Sequence, residues 1–276
     1  MAKLKQALEN RLNREELSKL IRSFDIIGNI AIIGIPEELK PKQYIIAKAV
    51  LDSNKNIKTV LKKADIHKGE FRIQKLSYLV GKRTKETIYK ENNVQLKLNV
   101  EKVYFTPRLS TERKRIYQLV KAGEEVLVMF SGVAPFCIVI AKNSKLRIVY
   151  GIEINPNAHK YALENVKLNK LGDKIRLYKG DVRKVVPNLK KRFDRILMPL
   201  PKTGEDFLDI ALKASKKGTT IHFYDFSQEK DFPEQSIGKI EGACKKARKK
   251  FKVLHSTKCG AYAPYVYRVC IDFQII

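Results

Sequence analysis

The sequence predicts an α/β protein, a Rossmann-like doubly wound sheet preceded by a small α+β domain. Three observations predict it. From about residue 124, strand-like apolar runs alternate with amphipathic helical ones. Before about residue 95, short strands and helices mix without that alternation. No low-complexity linker or internal repeat separates the two parts. A βα succession covers both faces of a parallel sheet with helices and sends ligands to the crevice beyond the strand C-termini. The expected domains are residues 1–95, the small α+β domain, and 96–276, the Rossmann-like domain.

The elements follow in order. "AKLKQALENRLNREELSKLIRSF" places Leu4, Leu8, Leu12, Leu17, Leu20 and Ile21 at helical spacing and predicts one N-terminal amphipathic helix. "DIIGNIAIIGIP" predicts a hairpin around Gly28-Asn29, "PKQYIIAKAVLDSN" a helix and "IKTVLKKA" a strand. "KETIYKENNVQLKLNV" reads as two strands around Glu91-Asn92-Asn93. The alternation then begins with "EEVLVMF" and the helix "PFCIVIAKN", followed by "LRIVYGIEI" and "NPNAHKYALENVKLNKL". "KIRLYKGD" precedes a short helix "VRKVVPNL", and "FDRILMPL" precedes "GEDFLDIALKAS". "GTTIHFYDF" leads to a basic helix around Lys239 to Lys249, and "FKVLHSTK" with "VYRVCIDFQI" closes the sheet as an antiparallel pair.

Composition bounds the function. The 276 residues carry 56 Lys plus Arg against 29 Asp plus Glu, a formal charge of +27. That excess predicts a polyanionic partner, most simply nucleic acid; a lysine-rich proteome is the alternative. No CxxC pair occurs, and His67, His159, His222 and His255 make no close ligand spacing with Cys137, Cys244, Cys259 and Cys270, so no metal is expected. Reduced thiols are the default, with a Cys244–Cys259 disulfide left open. No apolar run approaches the roughly 18 residues of a membrane span, and no signal peptide is visible. A cytoplasmic protein with no membrane partner is expected, and a monomer.

The strand ends carry the chemistry. At the first, "MFSGVAPF" puts Gly132 in a tight turn, with Pro135 opening the next helix. The second ends in Glu153, whose carboxylate suits both hydroxyls of a ribose, or else a helix cap. The third ends at Asp181, placed to accept from an adenine amino group or to cap "VRKVVPNL". Together they describe an adenosyl cofactor without a pyrophosphate, because the Gly-rich phosphate cradle is missing. S-adenosyl-L-methionine fits. The fourth strand runs into Pro199-Leu200-Pro201, although a strand core rejects proline. Prolines there would fix backbone carbonyls toward an acceptor base, or simply end an edge strand.

The ordered set "IIGNIAIIGIP", "KGEFRIQKL", "IYKENN", "VEKVYFTPRLSTERKRI", "MFSGVAPF", "EINPNAHKYALENVKLNK", "LMPLPK", "IHFYDF" and "YAPYVYRV" resembles the archaeal and eukaryotic tRNA (guanine(37)-N1)-methyltransferases and their wyosine-pathway relatives. The resemblance covers nearly the whole chain. It implies the class I S-adenosylmethionine-dependent fold and a tRNA partner, bound at the anticodon stem-loop and modified at purine 37. "LMPLPK" and "MFSGVAPF" look most like the archaeal subgroup that also converts 4-demethylwyosine to isowyosine.

By the same resemblance Glu112 of "STER" is the general base for guanine N1, and Arg72 of "GEFR" stabilises charge on O6. Pro199 joins them in the catalytic set. Tyr104, Arg113, Phe130, Gly132, Glu153 and Asp181 match cofactor positions, and Arg108 and Pro201 substrate positions. The bland counterparts are a surface Glu112–Arg113 pair, a solvated Arg72 and core aromatics at Phe130 and Tyr104. The chain departs from many members at Val128, at Gly132-Val133-Ala134 where Gly-x-Gly is common, and at Pro199 where Asn is common. The last change favours a roomier, bifunctional pocket. Elbow sensing by a preceding domain is expected to be absent or replaced by lysine-rich surface. The competing readings are an aminocarboxypropyl transferase using the same cofactor and a non-catalytic tRNA-binding module.

Overall fold

The structure, a computed structural model, describes residues 2–21, 23–64, 69 and 71–276, so His67 lies outside the described residues. Two compact units emerge: Met1–Lys90 with Gln95–Pro107, and Glu91–Val94 with Arg108–Ile276.

The first unit opens with α1 (Ala2–Leu8) and α2 (Arg14–Lys19) rather than the single helix expected. Asn13 breaks the run by capping α2. It accepts from Glu16 N at 2.8 Å while the Glu16 carboxylate accepts from Asn13 N at 2.8 Å, a reciprocal capping box. The leucines keep their roles: Leu4, Leu8, Leu12, Leu17 and Leu20 are buried together, whereas Ile21 is 45% exposed. Strands β1 (Asp25–Ile27) and β2 (Ile30–Ile33) form the expected hairpin, with Gly28 at φ +58° in its turn. Helix α3 (Gln43–Ser53) then crosses over to β3 (Thr59–Lys63), parallel to β2.

Strand β4 (Leu76–Gly81) pairs antiparallel with β3 and completes a sheet of order β1-β2-β3-β4. It was not anticipated. A register shift at Val60/Leu61 puts its buried leucines, Leu76 and Leu79, three residues apart instead of two. Strands β5 (Glu86–Glu91) and β6 (Val94–Asn99) form the second expected hairpin. Asn92 and Asn93 take left-handed conformations (φ 41° and 63°), the pair a tight two-residue turn requires.

The second unit contains α4 (Ser110–Leu119) and the large sheet. Its strands are β7 (Glu125–Val128), β8 (Ile148–Glu153), β9 (Ile175–Lys179), β10 (Phe193–Met198), β11 (Ser215–Gln228), β12 (Phe251–Ala263) and β13 (Val266–Ile275). They lie in the order β12-β13-β11-β10-β7-β8-β9. The five strands from β7 to β11 are parallel, and β13 runs antiparallel between β11 and β12. Helices α5 (Pro135–Asn143), α6 (Pro156–Leu168), α7 (Val182–Asn188), α8 (Leu208–Lys213) and α9 (Glu234–Lys246) connect them. The chain starts at β7, winds outward to β9, then returns to β10 on the other side of β7. The switch point between β7 and β10 is where such sheets open a crevice. It also makes β10 central, so the prolines after Met198 do not end an edge strand.

All four cysteines are free thiols; Cys244 packs into the core, and the disulfide to Cys259 does not form. No described helix is long and apolar enough to cross a membrane. Within the second unit Arg113 is fully buried and its guanidinium pairs with the Glu91 carboxylate through Nε and, at 2.7 Å, the second terminal nitrogen. Breaking a buried pair from one side strands the other charge. Glu91→Ala is therefore expected to destabilise this unit by about 3–5 kcal/mol, read as a lower urea midpoint by circular dichroism.

Candidate active site

At the C-terminal ends of β7, β8 and β9 three short connections converge. The one after β7 is conformationally unusual: Phe130 (φ 60°), Gly132 (φ 58°) and Ala134 (φ 65°) all lie in the left-handed region. Two of the three are not glycine, so the loop holds local strain against the surrounding packing. That path turns the Gly132 N–H onto Glu153 Oε2 at 2.6 Å and the Ser131 N–H onto the Ile152 carbonyl at 2.7 Å. Glu153 Oε1 accepts from Asn155 N at 2.8 Å. The carboxylate is 9% exposed, and burial raises its pKa against the lowering effect of the backbone donors from Asn155, Gly132 and Ile154. Among the described residues, the buried Ser131 hydroxyl has no hydrogen-bond partner.

Around this clamp the surface is apolar. Ile154, next to Glu153, is 37% exposed, and Phe130 meets Phe207 edge-on at 4.8 Å. The Arg183 guanidinium lies over Phe207 at 3.8 Å from the ring centre. Asp181 caps α7, with Oδ1 accepting from Arg183 N at 2.8 Å, so the capping role open to it in the sequence is filled. After β10, Leu200 N donates back to the Met198 carbonyl at 2.8 Å; Pro199 is half-buried and Pro201 buried.

Glu112 stands elsewhere in the same unit, on the first turn of α4. It is 5% exposed and does not pair with Arg113. Its carboxylate accepts from Arg115 Nε (2.8 Å), Arg115 Nη2 (2.7 Å) and the Tyr224 hydroxyl (2.7 Å). Arg115 turns its other edge to Asp272, at 2.5 and 3.3 Å. Asp272 and His222 face each other across the β11–β13 ladder, 2.6 Å apart at Nδ1. His222 Nε2 lies 2.7 Å from Arg195, which in turn grips Glu124 with two hydrogen bonds of 2.7 and 3.0 Å.

Because a guanidinium only donates, Nε2 must accept, and the ring proton sits on Nδ1 facing Asp272. Burial keeps His222 neutral, lowering its pKa, and the His222 and Arg115 contacts hold Asp272 well below the usual carboxylate range despite its burial. His222, Cys270 and Asp272 converge within 4.8 Å, close enough for a metal site. Both ring nitrogens are already engaged and two guanidiniums flank the cluster, so it reads as a hydrogen-bond network.

The remaining candidates divide between the units. Arg72 and Tyr104 belong to the first, where the guanidinium lies over the ring at 4.9 Å and Arg72 itself is left-handed (φ 50°). Arg108 belongs to the second and is exposed. Arg113 is committed to Glu91. Sequence reasoning missed Ser131, Ile154, Arg115, His222, Tyr224 and Asp272. Arg115 was visible as the i+3 partner of Glu112. The strand residues needed the β11–β13 register.

The comparisons with known proteins fit this geometry. The description "TRM5/TYW2 methyltransferase domain" matches residues 87–254, and "TYW2 N-terminal domain" matches residues 4–84. The chain is 42% identical to the tRNA (guanine(37)-N(1))-methyltransferase Trm5b of Pyrococcus abyssi, over 95% of this chain and 77% of that protein. It is 38% identical to the tRNA (guanine(37)-N(1))/4-demethylwyosine(37)-methyltransferase Taw22 of Nanoarchaeum equitans, over 92% of this chain and 100% of that protein. The solved complex of aTrm5 and tRNALeu superposes with a TM-score of 0.87 at 34% identity, covering 99% of this chain and 78% of that one. Pyrococcus horikoshii TYW2 in complex with MeSAdo gives 0.83 at 28% identity, covering 100% and 98%. A family match over more than half the sequence, with relatives matched nearly end to end, places it: the chain belongs to the TRM5/TYW2 methyltransferase family.

Proposed function

We propose that this protein is an S-adenosyl-L-methionine-dependent tRNA methyltransferase acting on purine 37 of the anticodon loop. Its targets are N1 of guanosine and C7 of 4-demethylwyosine. The observation that carries the reading is the Glu153–Gly132 clamp beside the switch point of a sheet of this family. The residues present fit the cofactor. Glu153 has capacity for ribose hydroxyls, Ile154 and Phe130 offer apolar surface for an adenine, and the buried Ser131 hydroxyl lacks a partner. Nothing in the loop after β7 provides a pyrophosphate cradle.

When bound, the cofactor supplies a methyl group activated by its sulfonium. The protein's own part is to prepare the base. Guanine N1 carries a proton that must leave, and Glu112 takes it. Charge then moves onto O6, where Arg72, braced on Tyr104, provides a cation. Pro199 and Pro201 fix the backbone on the acceptor side of β10, and Arg108 offers its charge to a phosphate. The base must leave its stack to reach such a pocket. The positive surface supplies attraction to the tRNA backbone, which salt weakens.

One second reading has an observation of its own. Residues 4–84 match the TYW2 N-terminal domain, and TYW2 of P. horikoshii matches the chain end to end. Taw22 of N. equitans also matches over its full length, so length favours neither reading. The retained "STER" and proline motif support methyl transfer.

The test is to incubate the enzyme and cofactor with tRNA bearing guanosine or 4-demethylwyosine at position 37 and to identify product nucleosides by mass spectrometry. Methylation of both substrates is expected, and transfer of an aminocarboxypropyl group instead would overturn the reading. Glu112→Gln is expected to slow N1 methylation by about 10²–10⁴-fold while cofactor binding persists. Glu153→Ala is expected to weaken cofactor binding by roughly 10–100-fold in calorimetry, with tRNA affinity unchanged in a filter assay.

A further inference from the structure

The chain Glu112–Arg115–Asp272–His222–Arg195–Glu124 contains three carboxylates, two guanidiniums and one neutral imidazole. Its formal charge is therefore −3 + 2 = −1. One added proton would balance it. The three carboxylates are not equivalent acceptors for that proton. Glu124 is the one carboxylate of this chain on Arg195, with two hydrogen bonds, the guanidinium also reaching His222 and the Leu119 carbonyl. Asp272 has Arg115, the His222 Nδ1–H and, at 3.3 Å, the Cys270 thiol. Glu112 shares Arg115 with Asp272 and otherwise meets neutral donors, the Tyr224 hydroxyl and the Cys259 thiol. Its cation is the one already half-neutralised from behind.

Among the described residues, two thiols also face Glu112, and the Arg268 cation of β13 lies beyond one of them, Cys259. Cys259 of β12 and Cys270 of β13 lie beside it, and burial raises both thiol pKa values, so both stay protonated. Arg115 itself is held fully protonated: its hydrogen bonds to the two carboxylates outweigh its own desolvation.

Resting on the reading of Glu112 as the base, we infer that Arg115 and Asp272 are its positioning residues. Asp272 fixes one edge of the guanidinium, so the other edge meets Glu112 in a set plane and only partly compensates its charge. Competition between the two carboxylates for one cation sets how readily Glu112 takes the substrate proton. The step balances simply: the N1–H proton goes to the Glu112 carboxylate, the N1 electron pair forms the new bond to carbon, and the carbon–sulfur pair stays on sulfur.

Two conservative variants should move the acid limb of the rate profile in opposite directions. Asp272→Asn releases Arg115 wholly to Glu112, making it a weaker base, so the limb moves about one unit to lower pH with a reduced plateau. Tyr224→Phe removes a donor to the charged form, so the limb moves to higher pH. The measurement is single-turnover methylation of guanosine-37 transcript at saturating cofactor from pH 5 to 9 or so. Calorimetric cofactor binding checks the fold of each variant. Opposite shifts support the inference. Unmoved limbs, or shifts of the same sign, overturn it and leave the network structural. If Asp272→Asn fails to fold, Arg115→Lys takes its place: it keeps the charge but loses the two-edged fork, so a moved limb supports the inference and an unmoved one overturns it. Glu112→Gln separates the two levels: wild-type rate and limb in that variant would remove the base itself. A large loss there, with no shift in the others, would remove only the positioning role.

Discussion

The second unit depends on a buried line of charge that runs through its sheet. Arg195 on β10, His222 and Tyr224 on β11, Asp272 on β13 and the first turn of α4 meet in one hydrogen-bonded chain. Buried charges stabilise little in total, because desolvation cancels much of their attraction. Their effect is on uniqueness. A half-satisfied network in a low-dielectric interior is costly, and the register of β11 against β13 and the rotation of α4 bring its members together. The direct pairing of His222 with Asp272 across the ladder is that register made visible. Glu112, the end of the line, inherits its orientation from it.

A second constraint acts at the strand ends. Three left-handed residues within five positions after β7 are paid for by the packing of α5, six of whose nine residues are buried. The returns are local and geometric: a backbone N–H aimed at Glu153, a hydroxyl with no partner of its own, and an apolar rim from Phe130 and Ile154. A cavity of about 760 Å³ between α8 and α9 has a different character, being lined by opposed charges such as Asp209, Glu205, Lys239 and Lys246. Lys239 there is already bound to Glu205 and Asp225. Chemistry points to the strand ends rather than to this groove.

What could be read from the sequence was what is local. The Asn92-Asn93 turn, the βα alternation and the acids ending β8 and β9 each declare themselves within a few residues. So did the placing of prolines after a central strand, once the alternation had been counted. The break between α1 and α2 carried its signal too, because Asn13 and Glu16 have capping-box spacing, but the unbroken leucine pattern hid it. Strand β4 was lost because a bulge changed its period. The network was out of reach for a different reason. Arg115, His222 and Asp272 are separated by up to 157 positions and meet only through tertiary register, which no local pattern encodes.

The most direct test of this account follows backbone amide exchange when S-adenosyl-L-methionine is added to the intact protein. The clamp predicts slower exchange in residues 129–135, 152–156 and 180–183, the three connections that converge on Glu153. Protection confined to the α8–α9 groove, with the strand ends unchanged, would contradict it.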